Sequence, residues 1–126
     1  MKTAHDLVQA AKARITEIQP QNADDVLQQA DLLIDVREPD EYRAGHVAGA
    51  VNIPRGLLEF RMSSTPDYEP RDKKIVIYCK TSGRAALAAA ALLDMGYLSV
   101  QSIAGGIDAW QAAGKPVVQP SLPNFD

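Results

Sequence analysis

The chain has 126 residues, 46% of them apolar, and a formal net charge of −3 at pH 7. A chain of this size can bury one hydrophobic core, so we expect a single globular domain over residues 1–126. The weak acidity, without a basic run, argues against nucleic-acid binding, and no apolar stretch reaches the roughly 20 residues needed to cross a bilayer. The N-terminus MKTAHDLVQA mixes polar residues into what would be the apolar part of a secretory signal, so we expect a cytoplasmic protein.

Helices and strands alternate along the predicted chain. In order, the predicted elements are a helix in HDLVQAAKA, an edge strand in ITEI, a helix in ADDVLQQA, a strand in LLIDV, a helical turn in EPDEYRAGH, a strand in AVNIP, a helix in GLLEFRM, a strand in IVIY, a helix in RAALAAAALLDMG, a strand in VQSI and a helix in GGIDAWQAAG. The loop SSTPDYEPRDKK precedes IVIY, which we expect to be the central strand. Asn22 is the expected N-cap of the second helix, and Gly96 is expected to end the alanine-rich helix.

Strands that are apolar throughout and alternate with helices indicate an α/β domain, with a parallel sheet covered by helices on both faces. Residues 1–14 would form an N-terminal helical extension and residues 118–126 a C-terminal tail. Ligands of such open sheets bind beyond the carboxyl ends of the strands, where Asp35, Cys79 and the pair Gly105-Gly106 would lie. We therefore expect the chemistry at that edge.

Cys79 is the only cysteine, so it can form no internal disulfide and offers no CxxC pair for zinc or dithiol chemistry. It opens a short polar loop between the strand IVIY and a helix that begins at about Arg84. The free N–H groups of the first helical turn and the cations Lys80 and Arg84 should favour a thiolate, and hence a nucleophile. A small buried hydrophobe is the alternative, but a core cysteine has no use for these polar neighbours. We expect the thiol to lie at the loop and outside the core, with Thr81 and Ser82 as loop-stabilising hydroxyls.

Asp35 ends a buried strand near this loop and could pair with Arg37 or with Arg84. It would then either orient groups near the site or cap its own turn, and the sequence leaves both roles open. His46 invites a general-base role, yet its place in a turn favours hydrogen bonding to local backbone. Two further cations, Arg55 and Arg61, could attract anions to the mouth of the site but are more typical of solvated helix charges.

Three motifs resemble the single-domain rhodaneses, sulfurtransferases that carry a sulfane sulfur as a cysteine persulfide. They are LIDVREPDEYRAGHVAGAVNIP, IVIYCKTSGRAALAA and IAGGIDAWQAAGKPV, and the resemblance covers roughly residues 15–117. It implies a rhodanese-like three-layer fold, with Cys79 as the persulfide-forming nucleophile. The residues that it places around the sulfur are Lys80, Thr81, Ser82, Gly83 and Arg84. The loop departs from the family pattern at Ser82, where Gly is frequent, and at Ala85, where Ser or Thr is frequent.

The resemblance implies transfer of sulfur from thiosulfate or a related small anionic donor to cyanide, a thiol or a protein acceptor, without metal or organic cofactor. Two alternatives stay open. Phosphatases and arsenate reductases use a similar loop, but with Cys-x5-Arg spacing that encircles an oxyanion, and Ala85 stands at that position here. A rhodanese-like domain could also act as a binding or sulfur-relay module with little free catalysis.

Overall fold

The computed structural model describes residues 1–120, which form one five-stranded parallel sheet with helices on both faces. The strands are β1 (Thr16–Ile18), β2 (Leu32–Asp35), β3 (Val51–Asn52), β4 (Lys74–Tyr78) and β5 (Ser99–Ile103). The helices are α1 (Ala4–Lys12), α2 (Ala23–Gln29), α3 (Pro39–Ala44), α4 (Leu58–Ser64), α5 (Gly83–Asp94) and α6 (Gly106–Ala112). The strand order is β1-β5-β4-β2-β3, with every neighbouring pair parallel. The predicted central strand and the predicted edge strand are both confirmed.

The two faces of β4 explain the three layers, because consecutive side chains of a strand point to opposite sides. Ile75 and Ile77 are buried against α4 and α5 on one side. Val76 and Tyr78 are buried against α2 and α6 on the other. Because both faces are covered, the strand carries apolar residues at every interior position instead of alternating with polar ones.

The alanine-rich helix α5 is enclosed by the sheet on one side and by α1 on the other. Ala86 and Ala90 of α5 are buried against Ala11 and Val8 of α1, where small side chains let the two helices approach closely. Six of the twelve residues of α5 are buried, as its apolar composition predicts. The N-terminal extension is therefore part of the packed structure.

Local details differ from the sequence prediction at the starts of two helices. Asn22 stands at the N-cap of α2 but makes no capping hydrogen bond, because a 3-10 turn over Pro20–Asn22 gives it φ −108° and ψ 8°, outside the extended conformation of a capping residue. Helix α5 begins at Gly83, one residue before the predicted start. A 3-10 turn over Arg55–Leu57 leads into α4, so the helix predicted in GLLEFRM begins at Leu58.

The C-terminal segment is held against the domain where Val118 pairs with His46 in an antiparallel bridge. Residues 121–126, which end the predicted tail, lie outside the described residues. No helix in the described part of the chain is long and apolar enough to cross a bilayer.

Candidate active site

Cys79 directly follows β4, at the carboxyl edge of the sheet, as predicted. The prediction that its thiol lies outside the core is wrong: the residue is 1% exposed and packs with the core side chains between the sheet and α5. Its side chain projects to the same side of the strand as Ile77, which places sulfur beneath the first turn of the helix. The backbone N–H of Ala85 donates a hydrogen bond to Sγ at 3.3 Å.

Residues 80–84, the active loop, join Cys79 to the first turn of α5 and present hydrogen-bond donors that no group of the described residues uses. Within residues 1–120, no protein atom accepts from the backbone N–H groups of Lys80, Thr81, Ser82, Gly83 and Arg84. Donors at a helix N-terminus are suited to an anion, since the helix dipole and the free N–H groups act in the same direction. Neither Ser82 nor Gly83 has a positive φ, so the departure from the family pattern at Ser82 requires no backbone strain.

The carbonyl groups of the same loop are occupied by the start of α6. The N–H of Ile107 donates to the Cys79 carbonyl at 2.9 Å, and the N–H of Asp108 donates to the Lys80 carbonyl at 3.1 Å. Gly106 makes this approach possible: its φ is +62°, and a Cβ there would lie 2.6 Å from the Lys80 carbonyl oxygen and closer still to two others. The sequence places the glycine pair at the correct edge, but this support of the loop was not predicted.

Both cations of the loop are paired with carboxylates, and neither partner was predicted from the sequence. Arg84 binds Glu41 with two hydrogen bonds, of 2.7 and 3.0 Å. Lys80 Nζ lies 2.8 Å from a carboxylate oxygen of Asp108. The hydrogen bonds from Arg84 lower the pKa of Glu41 to about 2, so this pair stays charged at neutral pH and loses its negative partner only as the pH falls through that value.

Asp35 pairs with Arg37 and not with Arg84. Its carboxylate accepts from the Arg37 backbone N–H at 2.9 Å and from the guanidinium Nη2 at 2.8 Å, and both side chains are buried. The same Nη2 also donates to the Gly45 carbonyl at 2.7 Å. Asp35 therefore fills both roles that the sequence left open. Its carboxylate caps its own turn, and it orients Arg37, which lines the cleft beside the active loop.

The other candidate residues named from the sequence are His46, Arg55 and Arg61. His46 Nδ1 lies 3.0 Å from the Tyr42 carbonyl oxygen, and its ring stacks on the Tyr42 ring, so the predicted local role is confirmed. Arg55 pairs with Glu59 of α4 at 2.7 Å, and Arg61 is exposed on the same helix. Across residues 1–120, no three His, Cys, Asp or Glu side chains are grouped so that they could hold a metal ion.

A cleft of about 280 Å³ opens beside the active loop. Its polar lining consists of Arg37, Glu41, Lys80, Asp108 and Gln111. A cavity of about 350 Å³ lies at the opposite edge of the sheet, where Thr16, Lys74 and Ser99 begin their strands. The chain's one thiol is at the other edge, so we place the candidate active site at the smaller cleft.

Comparison with known proteins identifies the family. The profile of the rhodanese-like domain matches residues 19–113. A sulfurtransferase from Allochromatium vinosum is 39% identical over 89 residues, covering 71% of this chain and 79% of its own. Thiosulfate sulfurtransferase 16, a chloroplastic protein of Arabidopsis thaliana, is 35% identical over 104 residues, covering 75% of this chain and 85% of its own.

Among solved structures, a protein of unknown function from Rhodopseudomonas palustris, described as a possible tyrosine phosphatase, superimposes with a TM-score of 0.84 at 30% identity. The superposition covers 94% of this chain and 96% of that one. The three-layer α/β fold predicted from the sequence is therefore shared over nearly the whole length of both proteins.

The contact between α6 and the active loop yields a testable prediction. Gly106→Ala should reduce the free energy of unfolding by about 1–3 kcal/mol or more, because the new Cβ meets three carbonyl oxygens and its backbone has positive φ. Urea denaturation measures the change. Gly56→Ala is the matched control, since a Cβ at Gly56 meets no atom within 4 Å, and it should leave stability within about 0.5 kcal/mol. Equal stability of the two variants would contradict the proposed role of the contact.

Proposed function

Since the chain belongs to the rhodanese-like domain family, we propose that it is a sulfurtransferase in which Cys79 carries a sulfane sulfur as a persulfide. One observation carries the assignment to Cys79: the thiol accepts from a backbone N–H at the start of α5, next to a run of N–H groups that have no acceptor. The Ala85 N–H already binds Sγ at 3.3 Å, and within residues 1–120 the N–H groups of the five preceding loop residues have no protein acceptor. Hydrogen bonds to a charged acceptor are roughly twice as strong as neutral ones, so this loop favours anionic sulfur.

The proposed reaction with thiosulfate has two steps. In the first, the Cys79 thiolate attacks the outer sulfur of thiosulfate, the S–S bond of the donor breaks, and sulfite leaves with the bonding electrons. In the second, cyanide or a thiolate attacks the terminal sulfur of the persulfide, and the Cys79 thiolate is regenerated. No external oxidant, reductant or cofactor is required. The name of the Arabidopsis thaliana relative supports thiosulfate as the donor.

The loop supports the reaction through its donors and through its fixed shape. The terminal sulfur of the persulfide would extend from the buried Sγ toward the free N–H groups of Lys80, Thr81, Ser82, Gly83 and Arg84. The N–H groups of Lys80 and Thr81 are held in place before sulfur arrives, because the start of α6 binds the carbonyls of the same two peptide groups, those of Cys79 and Lys80. Prearranged donors stabilise developing negative charge without a reorganisation cost at the moment of reaction.

Phosphatase or arsenate reductase chemistry is the competing enzymatic class, and the loop disfavours it. Arg84 stands at Cys-x4-Arg spacing, and both nitrogens that it would need for an oxyanion are bound to Glu41. Ala85, at the spacing of the phosphatase arginine, offers only a methyl group. A binding or relay module with little free catalysis is the second alternative, and it predicts no turnover of thiosulfate with cyanide.

Replacement of the thiol tests the assignment. The natural protein incubated with thiosulfate should gain the mass of one sulfur atom, which a thiol reductant removes, and Cys79→Ser should gain none and show no thiosulfate:cyanide turnover. Serine keeps the side-chain size at this buried position, where Cys79→Ala would also leave a small cavity. Intact-protein mass spectrometry and thiocyanate formation are the two measurements. Arg61→Ala, an exposed change, is the control, and the same sulfur loading in Cys79→Ser would contradict the assignment.

Loop length distinguishes the two enzyme classes. A glycine inserted between Ser82 and Gly83 should widen the loop to the phosphatase length and move the N–H donors away from the terminal sulfur. The variant should retain sulfur poorly, and the natural chain should hydrolyse an aryl phosphate negligibly because no free Arg faces the site. A glycine inserted between Asp72 and Lys73, in a surface loop, is the control and should retain sulfur normally. If the natural chain cleaves the phosphate efficiently and acquires no sulfur, the sulfurtransferase proposal is wrong.

A further inference from the structure

The mouth of the active site contains as many carboxylates as cations. The charged side chains that line the cleft are Arg37, Glu41, Lys80 and Asp108. Arg84 enters this group through its pair with Glu41, and Asp35 through its buried pair with Arg37. The three cations are therefore matched by three carboxylates. A site that attracts a small dianion by electrostatic steering would have an excess of cations instead.

The two partly exposed ion pairs, Arg84–Glu41 and Lys80–Asp108, differ in strength. Arg84 and Glu41 form a bidentate pair whose side chains are 37% and 31% exposed. Lys80 and Asp108 make a single contact, with 60% and 47% exposure. Bidentate arginine–carboxylate geometry is stronger and more specific than a single exposed contact, which solvent screens. Glu41 should therefore restrain its cation more firmly than Asp108 does.

Glu41 is held in position by its own helix. It lies at the third position of α3, where its carboxylate also accepts from the Glu38 backbone N–H at 3.0 Å as part of a capping box. This hydrogen bond within α3 orients the Glu41 carboxylate independently of its pairing with Arg84. Arg84 lies close enough to Cys79 for the two charges to interact, and this interaction adds to the effect of Glu41 in raising the pKa of Arg84.

We propose that Glu41, and to a smaller extent Asp108, determine donor specificity by reducing the use of dianionic donors such as thiosulfate relative to persulfides of uncharged thiols. This inference rests on the proposed sulfurtransferase function. A dianion gains little from cations that are already paired, and it would have to displace a carboxylate to reach Arg84. A persulfide of an uncharged thiol carries less charge and needs no such displacement.

The persulfide donor reacts by the same displacement. The Cys79 thiolate attacks the terminal sulfur of the donor R–S–SH, a new S–S bond forms at Cys79, and the S–S bond of the donor breaks. The thiolate RS⁻ leaves with the bonding electrons and takes up a proton on release. Sulfur and electrons balance between donor and protein, so no further reactant is needed.

Three single charge removals test the proposal: Glu41→Gln, Asp108→Asn and the control Asp40→Asn. Gln keeps an oxygen that can accept from the Glu38 N–H, so α3 retains its capping box. Asp40 lies on the same helix, pairs with Arg43 and is 92% exposed, which makes its replacement the same charge change outside the cleft. Rates of sulfur loading onto Cys79 are measured by mass spectrometry with thiosulfate and with the persulfide of 2-mercaptoethanol, each at several salt concentrations.

Glu41→Gln should raise the ratio of thiosulfate rate to persulfide rate by roughly 5- to 10-fold, because one full cation becomes available to the dianion. Asp108→Asn should raise the ratio by about 2- to 3-fold, since its partner is more exposed. Asp40→Asn should leave the ratio unchanged. In both cleft variants thiosulfate loading should also become more sensitive to salt, a change that a purely structural role of Glu41 would not produce.

Two different failures can be told apart. If the natural chain loads sulfur from both donors but Glu41→Gln leaves the ratio unchanged or lowers it, the specificity inference is wrong and the sulfurtransferase proposal stands. If the natural chain loads sulfur from neither donor, the proposed function itself fails. An equal increase in the Asp40→Asn control would show that net charge, and not the cleft pairing, sets the ratio, and would also overturn the inference.

Discussion

The active loop depends on the docking of α6 against its backbone. The N–H groups of Ile107 and Asp108 bind the carbonyls of Cys79 and Lys80, and only a glycine at position 106 permits this approach. A peptide group that directs its carbonyl toward α6 directs its N–H away from α6. The contact therefore fixes the peptide groups that join Cys79, Lys80 and Thr81, with their carbonyls bound and their N–H groups free, which is an arrangement suited to an anionic sulfur.

The ion pairs around this loop differ in burial, and we assign them different roles. Asp35 and Arg37 form a buried pair in which each satisfies the other, and removal of one partner would leave an unpaired charge in the interior. The pairs at the mouth are partly exposed and contribute less to stability. Their proposed role is to control which charges an incoming donor meets. The sulfur itself is buried, so in this proposal the residues of the mouth are the first charges that a donor meets.

The fold and the position of Cys79 at the carboxyl edge of the sheet were predicted correctly, because both depend on local patterns. The apolar runs of β2 and β4 predicted the buried parallel strands, and the end of the second run predicted the position of Cys79. The pairings of Arg84 with Glu41 and of Lys80 with Asp108 could not be predicted, since their partners are 43 and 28 residues apart in sequence. The burial of Cys79 was also missed, because its polar neighbours in sequence point away from the core that its own side chain enters.

The central claim is that the backbone donors of the active loop hold a terminal sulfur on Cys79. Amide chemical shifts of isotopically labelled protein, recorded before and after loading with thiosulfate, test it most directly. The account predicts that the largest changes occur at the N–H groups of residues 80–85 and reverse when a thiol reductant removes the sulfur. A protein that has gained the mass of one sulfur atom while these amides remain unchanged would contradict the account.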